Sequence, residues 1–382
     1  MRRREVERRF LLGGEAVKTV FRERAGVLVL NSRASRLAFQ HMKSSLANFI
    51  FGLLLGVLVS SLGFSWLGQK QPSESSGVKK ISLAHGMPEE HPVTKGIEEF
   101  SRELSELSGG SMKVEITGAG AGGSEEECLE SAQRGALDIT KVSCAKVGNF
   151  VPVFKLFSLP YLFRNGEHYW EVLDGEIGGE LLVALESNAE GRKSGLVGLT
   201  YYDAGARSFY AKKPLRSAAD LKGLKIRVQA DPVSEKTVKS LGASAVAIPF
   251  AELYTSLKQG GVDGAENNAP SYFSTSHYEV CKHYLLDKHS RIPDLLVMGS
   301  KFWEGLNETE KGWVKEAAKR SSEFQRALWA EETEKLLGQL KEKGVTIREA
   351  NIAEFQQLTS GVMTEFATGE RLEYVSRIQE VK

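Results

Sequence analysis

One order of strands and helices occurs twice in the sequence, and this repetition restricts the fold more than any other feature. Three strand-like segments alternate with two helix-like segments in residues 81–140, and the same order returns in residues 224–265. The Glu, Gly and Asp of ECLESAQRGALD (127–138) recur in ELYTSLKQGGVD (252–263), offset by 125 residues. Two similar α/β halves explain this pattern best. Coincidence is the alternative, because a helix that ends at glycine before an Asp-containing strand is common in α/β proteins.

The individual elements are predicted from periodicity and from capping signals. Apolar residues at helical spacing predict a helix over residues 93–107, and Ser124 with Glu127 forms a capping box that opens a second helix ending at Gly135. The second half has predicted helices over residues 232–241 and 251–259. The predicted strands of both halves are residues 81–85, 112–117, 136–140, 224–228, 244–248 and 261–265.

The C-terminal part is predicted to contain one long helix. Residues 307–344 include no proline and carry an apolar side. A helix over residues 310–343 would be about 50 Å long, which exceeds the width of one small lobe, so we expect it to lie across both halves. The tail, residues 345–369, offers one strand and one helix.

The N-terminal region differs from the rest in charge and hydropathy. Residues 1–44 form a basic extension, and residues 45–68 contain no charged side chain, so this segment is an export signal or a membrane anchor. Cleavage and retention are both open, as is a start at Met1 or Met42. Residues 69–78 form a polar linker. Because positive residues stay on the cytoplasmic side, we expect the remainder to be exported to the periplasm or the extracytoplasmic face of the inner membrane.

Charge and cysteine usage exclude several classes of function. The net charge is +1, but residues 1–43 hold eleven Lys/Arg against four Glu, so the exported part is slightly acidic and shows no nucleic-acid footprint. The three cysteines have no CxxC spacing and are predicted to be buried apolar residues. GAGAGG (118–123) lacks the dinucleotide-binding pattern, and no metal or catalytic motif is present. We therefore expect no cofactor, no bound metal and no enzymatic activity.

An arginine interrupts a strand that is otherwise apolar. Arg227 lies within LKIRV (224–228), whereas a parallel strand covered by helices on both faces is normally a continuous apolar run. Burial of an unpaired guanidinium is energetically costly. Arg227 is therefore either paired with a carboxylate of this chain, with Asp231 and Glu266 as candidates, or opens onto a cleft where an anion binds.

A second arginine favours the cleft. Arg207 lies among small and aromatic residues in YYDAGARSFY (201–210), just before the second half begins. Convergence of Arg207 and Arg227 from adjacent strands, with the polar GAENN (264–268) at the end of its own strand, would form a pocket for a carboxylate and its neighbouring hydroxyls.

Several segments resemble the solute-binding receptors of TRAP-type (tripartite ATP-independent periplasmic) transporters, in the dicarboxylate-binding branch. The longest are YYDAGARSFYAKKPLRSAADLKGLKIRV, LGASAVAIPFAELYTSLKQGGVDGAENN and HYEVCKHYLLDKHSRIPD. The shorter segments AHGMPEEHP, GALDI and LPYLF match the earlier part of the same pattern. The similarity begins near residue 79 and continues almost to the end of the chain.

The resemblance implies an α/β fold of two lobes, each a mixed sheet flanked by helices, with hinge strands between the lobes and one long helix spanning both. The lobes would comprise residues 79–204 with 293–332, and residues 205–292 with 333–382. It also implies capture of a small organic acid, either a C4-dicarboxylate or a sugar acid such as a uronate. The receptor would be a monomer that delivers this ligand to the membrane subunits of a TRAP permease.

Five site residues follow from the resemblance. Arg227 matches the arginine that clamps the ligand carboxylate bidentately, Arg207 matches the arginine of a G-x-R segment, and Asn267 matches the asparagine of D-G-x-E-N. His85 and Ser143 fall where the first and third strands provide polar contacts that vary with the ligand. Ser143 departs from the glutamate of the sialic-acid-binding branch, which argues against a sialic acid.

The choice of ligand and two rival functions complete the sequence-based hypotheses. Arg291 and the polar residues 266–268 would suit a hydroxyl-rich acid. A membrane-tethered sensor could use the same binding fold, and retention of residues 45–68 would favour it, but no cytoplasmic signalling domain is visible. An enzyme on a two-lobe frame would have to turn over the bound acid.

Overall fold

A computed structural model describes residues 77–187 and 191–382. The basic extension, the apolar segment 45–68 and all but the last two residues of the linker lie outside these residues, so the predictions made for them stay predictions. Within the described ranges, no helix is long and apolar enough to cross a membrane.

The described chain alternates strands and helices along most of its length. The strands are β1 (Lys79–Ala84), β2 (Met112–Thr117), β3 (Ile139–Ser143), β4 (Leu196–Tyr202), β5 (Arg207–Ala211), β6 (Lys225–Val228), β7 (Ser244–Ala247), β8 (Gly264–Asn267), β9 (His283–Ser290), β10 (Asp294–Gly299) and β11 (Thr346–Glu349). The α-helices are α1 (Pro92–Leu107), α2 (Glu125–Arg134), α3 (Cys144–Val147), α4 (Gly166–Asp174), α5 (Glu176–Ala184), α6 (Pro232–Ser240), α7 (Leu253–Gln259), α8 (Ala269–Ser274), α9 (His277–Val280), α10 (Ser300–Glu304), α11 (Glu308–Glu342), α12 (Ile352–Phe366) and α13 (Glu370–Glu380). Short 3-10 helices cover Pro152–Ser158, Ala218–Leu221 and Phe250–Glu252.

The strands form two mixed sheets, and the central strands of the two sheets have the same topology. The first sheet has the order β2-β1-β3-β10-β4, and the second has the order β11-β9-β5-β8-β6-β7. In the first, β1 is parallel to β2 and β3, and β10 is antiparallel to β3. In the second, β6 is parallel to β7 and β8, and β5 is antiparallel to β8. We call the first sheet with its helices the first lobe and the second sheet with its helices the second lobe.

Local interactions support the duplication that the sequence predicted. Helices α2 and α7 both end at a glycine in the left-handed conformation, Gly135 (φ 72°) and Gly260 (φ 83°), which is the conformation that favours glycine as a C-cap. Three residues later, Asp138 accepts a hydrogen bond from the Ser82 N–H at 2.8 Å, and Asp263 accepts one from the Lys225 N–H at 2.8 Å. The same aspartate therefore ties the third strand to the first in each half.

The predicted starts of two strands were wrong. Strands β3 and β8 start at Ile139 and Gly264, directly after Asp138 and Asp263, rather than near residues 136 and 261. The capping box at Ser124 is confirmed, as is the strand over residues 112–117. All three cysteines are buried and free, as predicted.

The long helix α11 joins the lobes as predicted. Its 35 residues correspond to about 52 Å, and it packs on α1 and β4 in the first lobe and on α8 in the second. It also holds the segment that crosses from β4 to β5. The Gln325 side chain accepts from the Asp203 N–H at 2.7 Å and donates to the Asp203 carbonyl at 2.9 Å, while Ser322 donates to the Tyr201 carbonyl.

The last helix departs from the lobe bounds drawn from the sequence. Helix α13, which those bounds place in the second lobe, packs on α5 and on the 3-10 helix Pro152–Ser158 in the first lobe. Arg377 of α13 pairs with Glu180 of α5 at 2.7 Å, and Val375 and Ile378 join the buried apolar cluster of the first lobe. The tail therefore starts in the second lobe and ends on the first. The remaining bounds stay predictions.

Candidate functional site

A cavity of about 350 Å³ lies between the two lobes, at the carboxyl ends of the parallel strands of both sheets. Polar residues from both lobes form its walls. The first lobe contributes His91, Ser124, Glu125, Glu126, Lys141, Lys146, Ser143 and Asp294, and the second contributes Arg207, Arg227, Gln229, Asn267, Asn268 and Ser271.

Arg227 is the cation of this cavity that lacks an internal counter-charge. Its side chain is 1% exposed, and its Nε donates to the Ile248 carbonyl at 2.9 Å. Its guanidinium carbon lies 5.9 Å from the centre of the Phe250 ring. No carboxylate of the described ranges lies within 4 Å of it, and burial lowers its pKa. The opening that the sequence predicted beside this arginine is present.

The two carboxylates considered as internal partners of Arg227 are engaged elsewhere. Asp231 caps helix α6, where its Oδ2 accepts from the Ser234 N–H at 2.9 Å and from the Ser234 hydroxyl at 2.6 Å. Glu266 pairs with Arg207. The internal salt bridge to Arg227 is therefore not formed.

Arg207 lines the same cavity but is held by its own lobe. Its Nη2 donates to Glu266 Oε1 and to the Glu266 carbonyl, both at 2.9 Å, and its Nη1 donates to Asn267 Oδ1 at 2.9 Å. The expectation that the two arginines lie on adjacent strands is wrong, because β8 lies between β5 and β6. Arg207 therefore reaches the site across β8 and fixes the Asn267 side chain there.

The Arg207–Glu266 pair continues into a buried ionic chain that the sequence did not suggest. His289 lies 3.5 Å from Glu266 Oε2 through its Nε2 and 2.8 Å from Asp287 Oδ2 through its Nδ1. Burial opposes the charged form of His289, but the two carboxylates outweigh it and raise its pKa to about 9. Burial likewise opposes ionisation of Glu266, but Arg207 and His289 lower its pKa to about 2.

A buried lysine in the first lobe was also missed. Lys141 Nζ lies 2.5 Å from Glu125 Oε1 and 3.4 Å from Asp294 Oδ2, and its side chain is fully buried. Burial opposes ionisation of Glu125, but the Lys141 ammonium outweighs it and lowers the Glu125 pKa. Asp294 keeps a raised pKa, because burial and repulsion from Glu125 exceed its attraction to Lys141. A lysine in the middle of the strand ITKVS was the available signal.

The structure places the predicted site residues Ser143 and His85 differently. Ser143 lines the cavity at the end of β3, with its N–H 3.4 Å from Glu125 Oε2. His85 is not among the lining residues, although Gly86 and Met87 are. Its Nδ1 accepts from the Met87 N–H at 3.2 Å, and burial lowers its pKa to about 4. Its buried Nε2 has no hydrogen-bond partner among the described residues.

A histidine that the sequence analysis did not single out connects the lobes. His91 caps helix α1 of the first lobe, and its Nε2 lies 3.1 Å from the Ser271 hydroxyl on α8 of the second lobe. Burial lowers its pKa to about 3, so the ring is neutral near pH 7. This neutral hydrogen bond joins two walls of the cavity.

Arg291, suggested as a contact for a hydroxyl-rich acid, belongs to another cavity. It lines a second space of about 860 Å³ together with Trp329 and Lys341, and it does not line the space beside Arg227. The suggestion was wrong because the segment between β9 and β10 is the second crossing between the lobes, and Arg291 lies on it.

Comparison with known proteins identifies the family. The family described as bacterial extracellular solute-binding protein, family 7, matches residues 83–369. The chain belongs to this family.

Relatives and solved structures agree with this assignment. The chain is 31% identical to the C4-dicarboxylate-binding periplasmic protein DctP of Rhodobacter capsulatus, over 81% of this chain and 88% of that protein. A TRAP periplasmic solute-binding protein from Sulfitobacter sp. NAS-14.1, solved with β-D-galacturonate, is 37% identical, with a TM-score of 0.75 over 79% of this chain and 99% of that one. One from Bradyrhizobium, solved with D-galacturonate, is 40% identical with the same TM-score, over 79% of this chain and 100% of that one.

The predicted TRAP-type receptor and its two-lobe mixed α/β fold are thereby confirmed. The family is one of substrate-binding receptors rather than enzymes, and its members work in the periplasm with membrane permease subunits.

Proposed function

We propose that this receptor captures a small organic acid, in the first place a sugar acid such as a uronate, by pairing the ligand carboxylate with Arg227. The observation that carries the proposal is the guanidinium itself. It is buried, it lines the cavity between the lobes, and no carboxylate of the described chain neutralises it. A carboxylate from solution would supply the missing charge and two hydrogen-bond acceptors in the planar geometry that arginine favours.

Arg207, Asn267 and Ser143 have distinct proposed roles. Arg207 fixes Asn267, whose amide then faces the ligand, and the remaining N–H capacity of Arg207 reinforces the clamp. Ser143 offers a hydroxyl from the first lobe. We assign His85 a supporting role, because it lies next to Gly86 and Met87 of the wall rather than on it.

The composition of the walls supports a hydroxylated acid. Gln229 offers an amide that can both donate and accept hydrogen bonds with ligand hydroxyls. Asn268, which bonds to the Ala204 carbonyl and the Ser271 N–H, and Ser271, which bonds to His91, have further hydrogen-bonding capacity beside it. Solved relatives carry galacturonate, glucuronate and, in a protein from Polaromonas, D-erythronate. A C4-dicarboxylate is the second ligand class, supported by the relative from Rhodobacter capsulatus.

Capture couples to closure because both lobes contact the ligand. A bound acid interacts with Arg227 of the second lobe and with Ser143 of the first only when the lobes are together, so it stabilises the closed state more than the open one. The closed, loaded monomer then presents its acid to the membrane subunits of a TRAP transporter at the periplasmic face of the membrane. The acid leaves chemically unchanged.

Calorimetry can test the proposal with matched ligands. D-Galacturonate should bind the wild-type protein at least about 100-fold more tightly than D-galactose, because the two differ in the carboxylate that Arg227 neutralises. Equal affinity for both, or no binding of galacturonate, glucuronate or a C4-dicarboxylate, would contradict the assigned site. Recovery of the ligand by mass spectrometry should return the starting acid, whereas a converted product would indicate an enzyme.

A further inference from the structure

A buried cluster in the first-lobe wall has one cation and two carboxylates. Lys141 lies between Glu125 and Asp294, at 2.5 Å and 3.4 Å, and all three line the cavity. The geometry points to Glu125 and Asp294 as specificity-determining residues that reject the second carboxylate of a diacid and admit hydroxy acids with one carboxylate. This inference rests on the proposed function and narrows its ligand class.

The positive charge of Lys141 is already neutralised by two carboxylates of the chain. Its ammonium is completely buried, and both nearby carboxylates belong to the chain, so the cluster has an excess of negative charge when all three groups are ionised. A third carboxylate brought into this wall would meet two like charges and no free cation. Like-charge contacts of this kind are strongly unfavourable in a desolvated site.

The other lining cations of the described chain, apart from Arg227, are not free to take that carboxylate. Lys146 pairs with Glu126, and Arg207 pairs with Glu266. Among the lining cations of the described chain, Arg227 alone has no carboxylate within 4 Å. The cavity therefore provides one uncompensated positive charge and accommodates one anionic group.

The carboxylates of Glu125 and Asp294 favour ligand hydroxyls. An ionised carboxylate only accepts hydrogen bonds, and Glu125 and Asp294 retain acceptor sites beyond those directed at Lys141. A ligand hydroxyl can donate to them, whereas a ligand carboxylate cannot. The first-lobe wall thus distinguishes a terminal CH₂OH or ring hydroxyl from a terminal carboxylate.

Pairs of acids that differ at one carbon test this inference. D-Galactonate and galactarate, and likewise D-erythronate and meso-tartrate, share their chain and differ only in whether the terminal carbon is a hydroxymethyl or a carboxylate. Calorimetry at fixed ionic strength should give the wild-type protein a preference of at least about 30-fold for the monoacid of any pair that it binds.

Charge-neutral variants then identify the residues responsible. Glu125→Gln and Asp294→Asn each leave Lys141 with one carboxylate, so the mono-to-diacid preference should fall at least about 10-fold in each. Glu130→Gln is the matched control, because it makes the same change on the same helix at an exposed pair with Arg134. Its preference should equal that of the wild type.

The outcomes separate the two proposals. A wild type that binds galactarate or meso-tartrate as tightly as the monoacid overturns the inference while the receptor assignment stands, and this comparison decides even if neither variant folds. Folded variants that keep the wild-type preference within roughly threefold also overturn it. A wild type that binds no acid at all contradicts the proposed function instead.

Discussion

The two lobes share a topology but bury opposite excess charge beside the same cavity. Lys141 in β3 and Glu266 in β8 occupy corresponding positions, 125 residues apart, and each is surrounded by groups of the opposite sign. In the first lobe, one lysine faces the carboxylates of Glu125 and Asp294. In the second lobe, Glu266 and Asp287 face Arg207 and His289, and Arg227 adds a third cation that lacks a carboxylate partner among the described residues.

On the proposed function, this difference in charge indicates which end of the ligand each lobe would contact. Internal pairing neutralises most of the charge in both lobes, and what is left over defines the chemistry of the wall. The second lobe is left with a guanidinium and, on the proposed function, would receive the carboxylate, whereas the first lobe is left with carboxylate oxygens and would receive hydroxyls. The two halves thus share a strand-helix topology, and the opposite charges at Lys141 and Glu266 make their walls complementary to an asymmetric acid.

The largest effect is expected from breaking the internal pairing of the second lobe. Glu266→Gln leaves Arg207 and His289 buried without their shared carboxylate, and loss of one partner from a buried ion pair costs about 3–5 kcal/mol of folding free energy. Urea denaturation of the ligand-free protein measures this loss. Glu130→Gln, whose pair is exposed, is expected to change the free energy of unfolding by less than about 0.5 kcal/mol. Equal stability of the two variants would mean that Glu266 does not stabilise the second lobe.

The next effect concerns binding and separates the unpaired arginine from the paired one. Arg227→Ala should cost about 2–5 kcal/mol of ligand binding, or roughly 30-fold to several thousandfold in Kd, because the ligand carboxylate loses its desolvated partner. Arg227→Lys should also bind poorly, since an ammonium lacks the planar fork. Titration calorimetry with a sugar acid provides the measurement.

The stability of Arg227→Ala should contrast with its weak ligand binding. Removal of Arg227 leaves no carboxylate of the described residues unpaired, so without ligand Arg227→Ala should be far less destabilised than Glu266→Gln. A loss of affinity below threefold in both Arg227 variants, or an unfolded Arg227→Ala protein, would contradict the separation of a ligand-binding cation from a structural one.

The sequence could predict the second-lobe wall better than the first, for a physical reason. Arg227 stands out because a charged residue within an apolar parallel strand requires a partner, and the partner can be sought locally. Lys141 gives the same signal within ITKVS, but its partners Glu125 and Asp294 have no local signature. The cluster joins α2, β3 and β10, and β10 enters the first sheet only after the chain has formed strands β5 to β9 of the second sheet.

The same limit applies to the crossing strands. Periodicity indicated the βαβαβ units of each half, but not that β5 and β10 would each add an antiparallel strand beside the third strand of the unit. That insertion separates Arg207 from Arg227 by β8 and moves Arg291 to the second cavity. Pairing between distant strands depends on which lobe each crossing enters, and this information is not contained in the spacing of apolar residues.

The smallest expected effect is a pH dependence of stability that distinguishes the two lobes. Among the groups described above, the second lobe alone holds a buried histidine with a raised pKa. The pKa of His289 is about 9 in the folded protein, against an ordinary value of 6.5. A raised pKa means that folding takes up a proton between these values, so the contribution of His289 is complete below pH 6.5, decreases as the pH rises, and is lost above about pH 9. The full contribution amounts to about 3 kcal/mol of unfolding free energy. Denaturation curves between pH 6 and 10 should show this decline in the wild type and a flatter profile in His289→Gln, with Glu130→Gln measured in the same way as the control.

Parallel profiles in the wild type and His289→Gln would mean that Asp287 and Glu266 do not hold His289 in its charged form. In that case Glu266 would be left with Arg207 as its one cationic partner, and the second lobe would lose one of the charges that set it apart from the first.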